Sequence, residues 1–261
     1  MKALLFDMDG VLYNGPVPIR GAAQALAWVR KQRIPHLFVT NTTSRARSVL
    51  VEKLKTFRIF AVEDQIFSPA RATAAWLKTQ ETGAVALFVP KATHPEFDGF
   101  KILGAAAEAG ARYVVVGDLG EGWNFRTLNR AFRLLHSNPE AELIALGLTR
   151  FWQSEDGLRL DTAPFVAALE TATRRKALVF GKPAEAFFRA AVEKLAIPAR
   201  EVLMVGDDIE VDVGGAQKAG LVGALVKTGK FRPSDLNGAL RPDVVLDSIA
   251  ALPGWWADNS D

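Results

Sequence analysis

Short runs of aliphatic, β-branched and aromatic residues alternate along this chain with stretches whose apolar positions recur every three or four residues. Leu4-Leu5-Phe6 and His36-Leu37-Phe38-Val39 have the length and composition of buried strands. Between them Ala22, Ala25, Leu26 and Val29 fall on one helical face. Residues 47–57 and 70–80 predict two more helices. The same alternation returns near the C-terminus. Ala177-Leu178-Val179-Phe180, Val202-Leu203-Met204-Val205 and Val222 to Val226 predict strands, and Phe187, Phe188, Ala191, Val192 and Leu195 mark a helix. Such a pattern predicts βαβ units around a parallel sheet, an α/β fold. The middle of the chain carries strands and helices of its own. Strands are expected at 85–89, 113–116 and 143–146, and Phe125, Leu128, Phe132 and Leu135 share a helix face. The chain therefore reads as a discontinuous core, residues 1–81 and 178–261, with an inserted α/β domain at 82–177. The stretch after Pro253 admits two readings, a frayed end or a pair of tryptophans, Trp255 and Trp256, packed on the core.

Composition narrows the chemistry. The sequence contains no cysteine, which excludes disulfides, thiolate nucleophiles and Cys-ligated zinc or iron–sulfur centres. His36, His94 and His136 form no ligand pair by spacing, so a histidine metal centre is not expected. A net charge of +3 comes from scattered Lys and Arg with no basic run, which argues against a nucleic-acid partner. No apolar run is long enough to span a bilayer, and the start shows no signal-peptide pattern. The expected location is the cytoplasm, with no membrane partner.

Ligands of open parallel sheets bind beyond the carboxyl ends of the strands. The first strand ends in Asp7-Met8-Asp9-Gly10 and the second in Thr40-Asn41-Thr42-Thr43-Ser44. The strand at 177–180 ends in Gly181-Lys182-Pro183, and that at 202–205 in Gly206-Asp207-Asp208 with Asp212 close behind. If these strands share one sheet, carboxylates, hydroxyls and one ammonium converge at one edge. Clustered carboxylates need protons or a cation between them, and an all-oxygen set suits a hard divalent ion, Mg²⁺ before Zn²⁺. Thr40 and Asn41 are expected where a helix begins, so that hydroxyl and backbone N–H groups hold phosphate oxygens. Lys182 would offset the remaining charge, and a carboxylate is a competent nucleophile toward phosphorus. Taken singly, each segment is an ordinary turn or helix cap. An EF-type calcium loop starting at Asp7 is excluded, because its twelfth position is Pro18 rather than Glu. The combination, each member directly after a buried-type strand, is what points to a site.

These segments resemble, in order, the four motifs of the haloacid dehalogenase (HAD) superfamily: Asp7 to Val11, Thr40, Lys182, and Gly206 to Asp212. The long middle segment, Thr40-Asn41 and Gly181-Lys182-Pro183 resemble the NagD-like branch, type IIA. A finer likeness lies in Arg150-Phe151-Trp152, Asp156-Gly157-Leu158, Ala163-Pro164-Phe165, Asp208 to Gly215 and Lys227 to Arg232. It is to the subgroup of phospholysine phosphohistidine inorganic pyrophosphate phosphatases and related hydrolase-domain proteins. One position departs from that subgroup's named enzyme, whose first motif has Ser where this chain has Asp9.

The resemblance implies a Rossmann-like core with a large inserted α/β cap (C2 type) and a Mg²⁺-dependent phosphatase. By the resemblance, Asp7 attacks phosphorus and Asp9 is the general acid and base. Mg²⁺ is held by Asp7, by Asp9 through its backbone carbonyl, and by Asp207, with Asp208 and Asp212 in support. Thr40, Asn41 and Lys182 hold the phosphoryl group. The substrate expected is a small phosphorylated metabolite, selected by cap residues for which Asp118, Glu121, Trp123 and Arg150 are candidates. The alternatives are a phosphoamidate or pyrophosphate phosphatase, metal-free carbon–halogen hydrolysis, and a non-catalytic binding protein on the same fold. An exposed cap edge strand would allow a homodimer.

Overall fold

A computed structural model describes residues 1–154 and 157–259. The chain divides into two compact units. One comprises Met1–Thr40, Arg47–Phe67 and Lys182–Asp261, the other Asn41–Ala46 and Ser68–Gly181.

The first unit is built on a six-stranded sheet of β1 (Ala3–Asp7), β2 (His36–Val39), β3 (Ile66–Phe67), β4 (Val202–Gly206), β5 (Val222–Val226) and β6 (Val244–Leu246). Across the sheet the order is β3-β2-β1-β4-β5-β6, and every neighbouring pair is parallel. The early strands are laid down to one side of β1 and the late strands to the other. The order thus reverses between β1 and β4, the position at which open α/β sheets leave a crevice for ligands.

Burial explains why β1 sits centrally. Ala3, Leu4, Leu5 and Phe6 are all fully buried, as a parallel strand covered on both faces requires. Leu4 and Phe6 point into a core with Leu203, Val205, Ala224 and Val226. Helix α1 (Ala22–Lys31) closes that core with Ala22, Ala25, Leu26 and Val29. Each such leucine or phenylalanine contributes about 1.5–3 kcal/mol by leaving water. Trp256, in the terminal helix Leu252–Asn259, is buried in the same core and meets Trp28 edge to face at 6.4 Å. Of the two readings of this end, packing on the core is the one found.

The start of β2 holds His36 in one state. The backbone N–H of Val62 donates to Gln65 Oε1 (3.1 Å), which orients the amide so that its Nε2 donates to His36 Nε2 (3.0 Å). His36 Nδ1 then carries the proton and donates to the Ile34 carbonyl (2.8 Å). Burial lowers the His36 pKa, the Ile34 hydrogen bond opposes this and Arg30 adds to it. The unfolded chain therefore takes up a proton first as pH falls. This contribution is present above the ordinary value of 6.5 and is lost below it. With Mg²⁺ saturating, melting curves should show a steeper fall in Tm between pH 7 and 5.5 for the wild type than for His36→Phe. Equal slopes would refute the assignment.

The second unit has its own four-stranded parallel sheet, ordered Leu178–Val179, Glu142–Ala145, Tyr113–Val116, Val85–Phe88. Its core joins Phe88, Val114, Val116, Leu134, Leu135, Val166 and Leu169. A two-stranded hairpin, Phe151–Ser154 with Gly157–Leu160, belongs to the same unit. The expected strand at 177–180 shrinks to two paired residues and joins this sheet, where Leu178 aligns with Ile144. It does not join the sheet of β1, as the reading of a shared sheet edge required. Asp156, part of the family likeness, lies outside the described residues. No helix among the described residues is long and apolar enough to cross a membrane.

Candidate active site

Asp7 is the last residue of β1, and the register sets it beside Val39, the last of β2. On the other side, Phe6 pairs with Val205 and β4 ends one residue on, at Gly206. Asp7 and Asp207 therefore leave adjacent strands at the point where the strand order reverses.

Lys182 Nζ lies 2.5 Å from Asp7 Oδ1 and 2.7 Å from Asp212 Oδ1. All three side chains are withdrawn from solvent, at 3% exposure for Lys182, 13% for Asp7 and 2% for Asp212. The Asp208 side chain caps the following turn, its Oδ1 accepting from Glu210 N (3.1 Å) and Val211 N (3.0 Å). That turn, Ile209–Gly214, swings Asp212 back so that its Oδ2 accepts from Asp208 N (3.2 Å) while Oδ1 faces Lys182. Asp208 thus acts as a helix cap, and Asp212 as a member of the buried charge cluster.

Asp7, Asp207 and Asp212 each bring a carboxylate oxygen within 4.8 Å of the others. Burial pushes Asp7 up to about 7; Lys182 opposes this and Asp212 and Asp207 reinforce it. Burial also pushes Asp207 up to about 6, against the hydrogen bond from Lys230 N and with Asp212 adding to the rise. Burial alone would lower Lys182, but Asp212 and Asp7 outweigh it and hold the ammonium protonated. The Lys182 ammonium contacts two of these three carboxylates, Asp7 and Asp212. The donors are all carboxylate oxygens drawn close together, so the cluster fits a hard divalent cation.

The other expected site residues fall as follows. Thr40 is buried, directly after β2, with its N–H donating to the Phe67 carbonyl (3.2 Å). Asp9 is exposed, in the turn where Gly10 N donates to the Tyr13 carbonyl (2.6 Å). Asn41 belongs to the second unit, against Gly181. No helix begins at Thr40; the next one starts at Arg47. The reason lies in the second unit, where Thr43 O accepts from Thr93 Oγ1 (2.6 Å) and Thr43 Oγ1 from Asp118 N (3.4 Å), holding the segment as a loop.

Of the candidate selectivity residues, Trp123 is part of a core. It is stacked between Phe88 (5.8 Å) and Phe165 (4.7 Å), with Nε1 donating to the Gly117 carbonyl (3.1 Å). Asp118 closes its own turn onto Gly120 N (3.0 Å), Glu121 pairs at 3.9 Å with Arg159, and the Arg150 guanidinium lies 5.7 Å from the Phe151 ring. A cavity of about 480 Å³ in the first unit lies elsewhere, lined by Arg30, Arg33, His36, Gln65 and Lys194 at the amino end of β2.

Sequence reasoning missed one segment of the site. Lys230 N donates to Asp207 Oδ2 (2.7 Å), Lys230 Nζ lies 3.4 Å from Asp208 Oδ2, and Thr228 Oγ1 donates to the Gly10 carbonyl (2.5 Å). The signal was available: Thr228-Gly229-Lys230 follows β5 just as the other segments follow their strands.

The chain is similar to known proteins in sequence and fold. Residues 4–102 match a family described as haloacid dehalogenase-like hydrolase, and residues 179–252 one described as HAD-hydrolase-like. Over 255 residues the chain is 34% identical to human phospholysine phosphohistidine inorganic pyrophosphate phosphatase, covering 96% of this chain and 92% of that protein. The chain belongs to the HAD-like hydrolases. Among solved structures, the p-nitrophenyl phosphatase of Archaeoglobus fulgidus superimposes with a TM-score of 0.87 at 28% identity, covering 97% of this chain and 98% of that one. NagD of E. coli K-12 does so at 0.84 and 25%, covering 96% and 97%. The fold is that of the NagD-like HAD phosphatases, and the protein is an enzyme of the phosphatase class.

Proposed function

We propose that this HAD enzyme is a Mg²⁺-dependent phosphatase of small phosphorylated metabolites, working in the cytoplasm through an aspartyl-phosphate on Asp7. The observation that carries this reading is the buried Lys182 ammonium shared by Asp7 and Asp212, with Asp207 completing an excess of negative charge. Asp7 and Asp207, with the Asp9 backbone carbonyl, would hold the ion, and Asp212 supports it. Bound Mg²⁺ would offset the negative charge of the cluster and polarise the phosphoryl group.

An Asp7 oxygen forms the bond to phosphorus as the bond to the leaving oxygen breaks, and Asp9 delivers its proton to that oxygen. Asp9, exposed to solvent, then takes a proton from the water that attacks phosphorus, and Asp7 leaves as a carboxylate. Lys182 holds Asp7 in line and offsets charge on the transferring group, and Thr40 and Asn41 hold its oxygens. The second unit, containing the inserted segment 82–177, selects the leaving group.

The test is turnover of p-nitrophenyl phosphate with Mg²⁺ and with EDTA. Activity is expected to fall at least about a hundredfold on chelation and to return with Mg²⁺; full activity in EDTA would refute the reading. A phosphoamidate or pyrophosphate activity is the second reading, favoured by the identity to the human phosphatase so named. Asp9 weighs against it, because an alkoxide leaving group needs a proton donor. Phosphohistidine and pyrophosphate should therefore be poorer substrates than phosphomonoesters in the same assay.

A further inference from the structure

We propose that the turn Thr228-Gly229-Lys230 positions Asp207, and that Thr228 and Gly229 set the affinity of the carboxylate cluster for a divalent cation. The inference rests on the phosphatase reading and extends it to a segment outside its catalytic groups.

β5 neighbours β4, so the turn after β5 emerges at the same sheet edge as Asp207 and, one strand further, Asp7. It is tied to two ends at once. Thr228 Oγ1 donates to the Gly10 carbonyl in the turn after β1, at 2.5 Å. Lys230 N donates to Asp207 Oδ2 after β4, at 2.7 Å. Between these bonds, Gly10 and Gly229 both adopt positive φ, +84° and +64°. A Cβ on either would overlap the Asp207 carboxylate. That carboxylate therefore sits in a slot whose walls are two glycines from separate turns and whose end is a single N–H. Lys230 Nζ reaches Asp208, the cap of the turn that carries Asp212.

A charged side chain with a bond to only one oxygen would otherwise sample several rotamers. The slot removes them before any ion arrives. Groups that orient ligands in this way are worth about 10–100-fold in metal affinity. An ordinary loop would behave differently, because altering it would lower stability and leave ion affinity alone.

The variants are Thr228→Val, which removes one hydroxyl at constant shape, Gly229→Ala, which fills the slot, and Thr228→Ser, which restores the donor. Mg²⁺ is titrated calorimetrically into each full-length, EDTA-stripped protein, with melting curves recorded alongside. Affinity should fall about tenfold in Thr228→Val, by up to about a hundredfold in Gly229→Ala, and stay within about threefold of wild type in Thr228→Ser. Should Gly229→Ala not fold, Thr228→Val against Thr228→Ser decides alone. A folded Thr228→Val that binds Mg²⁺ within about twofold of wild type, with only its Tm lowered, overturns the inference and leaves the phosphatase reading intact. Failure of the wild type itself to bind Mg²⁺ overturns both.

Discussion

Asp7→Asn is expected to give a folded protein with turnover of p-nitrophenyl phosphate reduced at least about a thousandfold under saturating Mg²⁺. The amide matches the carboxylate in size, so the buried residues of β1, Ala3 to Phe6, are not disturbed. What it lacks is the anionic oxygen that, in the proposed mechanism, would bond to phosphorus. Stability supplies the control. Burial has already pushed Asp7 up to about 7, so above that pH its charge costs the folded state free energy. Removing the charge gives back part of that cost and loses the contact with Lys182. The variant, stripped of metal at pH 8, should consequently melt close to the wild type. Turnover within about tenfold of wild type in a well-folded Asp7→Asn would refute the assignment of Asp7 as nucleophile.

Removing Lys182 should have the opposite balance, with the larger effect on stability. Its ammonium, 3% exposed, is shared by two carboxylates that are themselves withdrawn from water. Breaking a buried pair by deleting one partner costs about 3–5 kcal/mol. In a chain of this size that is a drop in Tm of about 6–20 °C. Lys182→Ala should show this at pH 7.5 in EDTA. The loss should shrink toward pH 5.5, because the stranded carboxyls then take up protons. The sign follows from linkage: an acid whose folded pKa is raised destabilises the fold as pH rises through that range. Melting of Lys182→Ala alongside the wild type at both pH values would show that the ammonium carries no such burden.

The two variants separate roles that the sequence presents as equivalent motifs. On these expectations Asp7 would be dispensable for the fold and needed for chemistry, whereas Lys182 would serve both. The difference comes from burial and from the number of opposite charges each side chain faces.

Much of the site was legible from one rule, that functional groups follow buried-type strands in a parallel sheet. The apolar runs at 4–6, 36–39, 202–205 and 222–226 are all strands of the central sheet, and Asp7, Thr40 and Asp207 stand at their carboxyl ends. These strands were readable because burial on both faces leaves almost no polar residue within them. The short edge strand Ile66–Phe67 and the hairpin at 151–160 carry no comparable run and were not foreseen. Trp123 shows the converse limit: its composition suits a ligand contact equally well, and only the stacked rings of Phe88 and Phe165 identify it as core.

The sequence by itself determined the α/β alternation, the exclusion of thiol chemistry and the acids that leave the strand ends. All of these depend on local pattern and residue type. Tertiary structure alone decided which groups meet. It put the strand before Gly181 in the second unit's sheet, brought Lys182 between Asp7 and Asp212, made Asp208 a cap, and closed the Thr228-Gly229-Lys230 turn over Asp207. These are encounters between residues up to 218 positions apart, as between Gly10 and Thr228. Strand order and side-chain packing set them, and neither leaves a periodic trace along the chain.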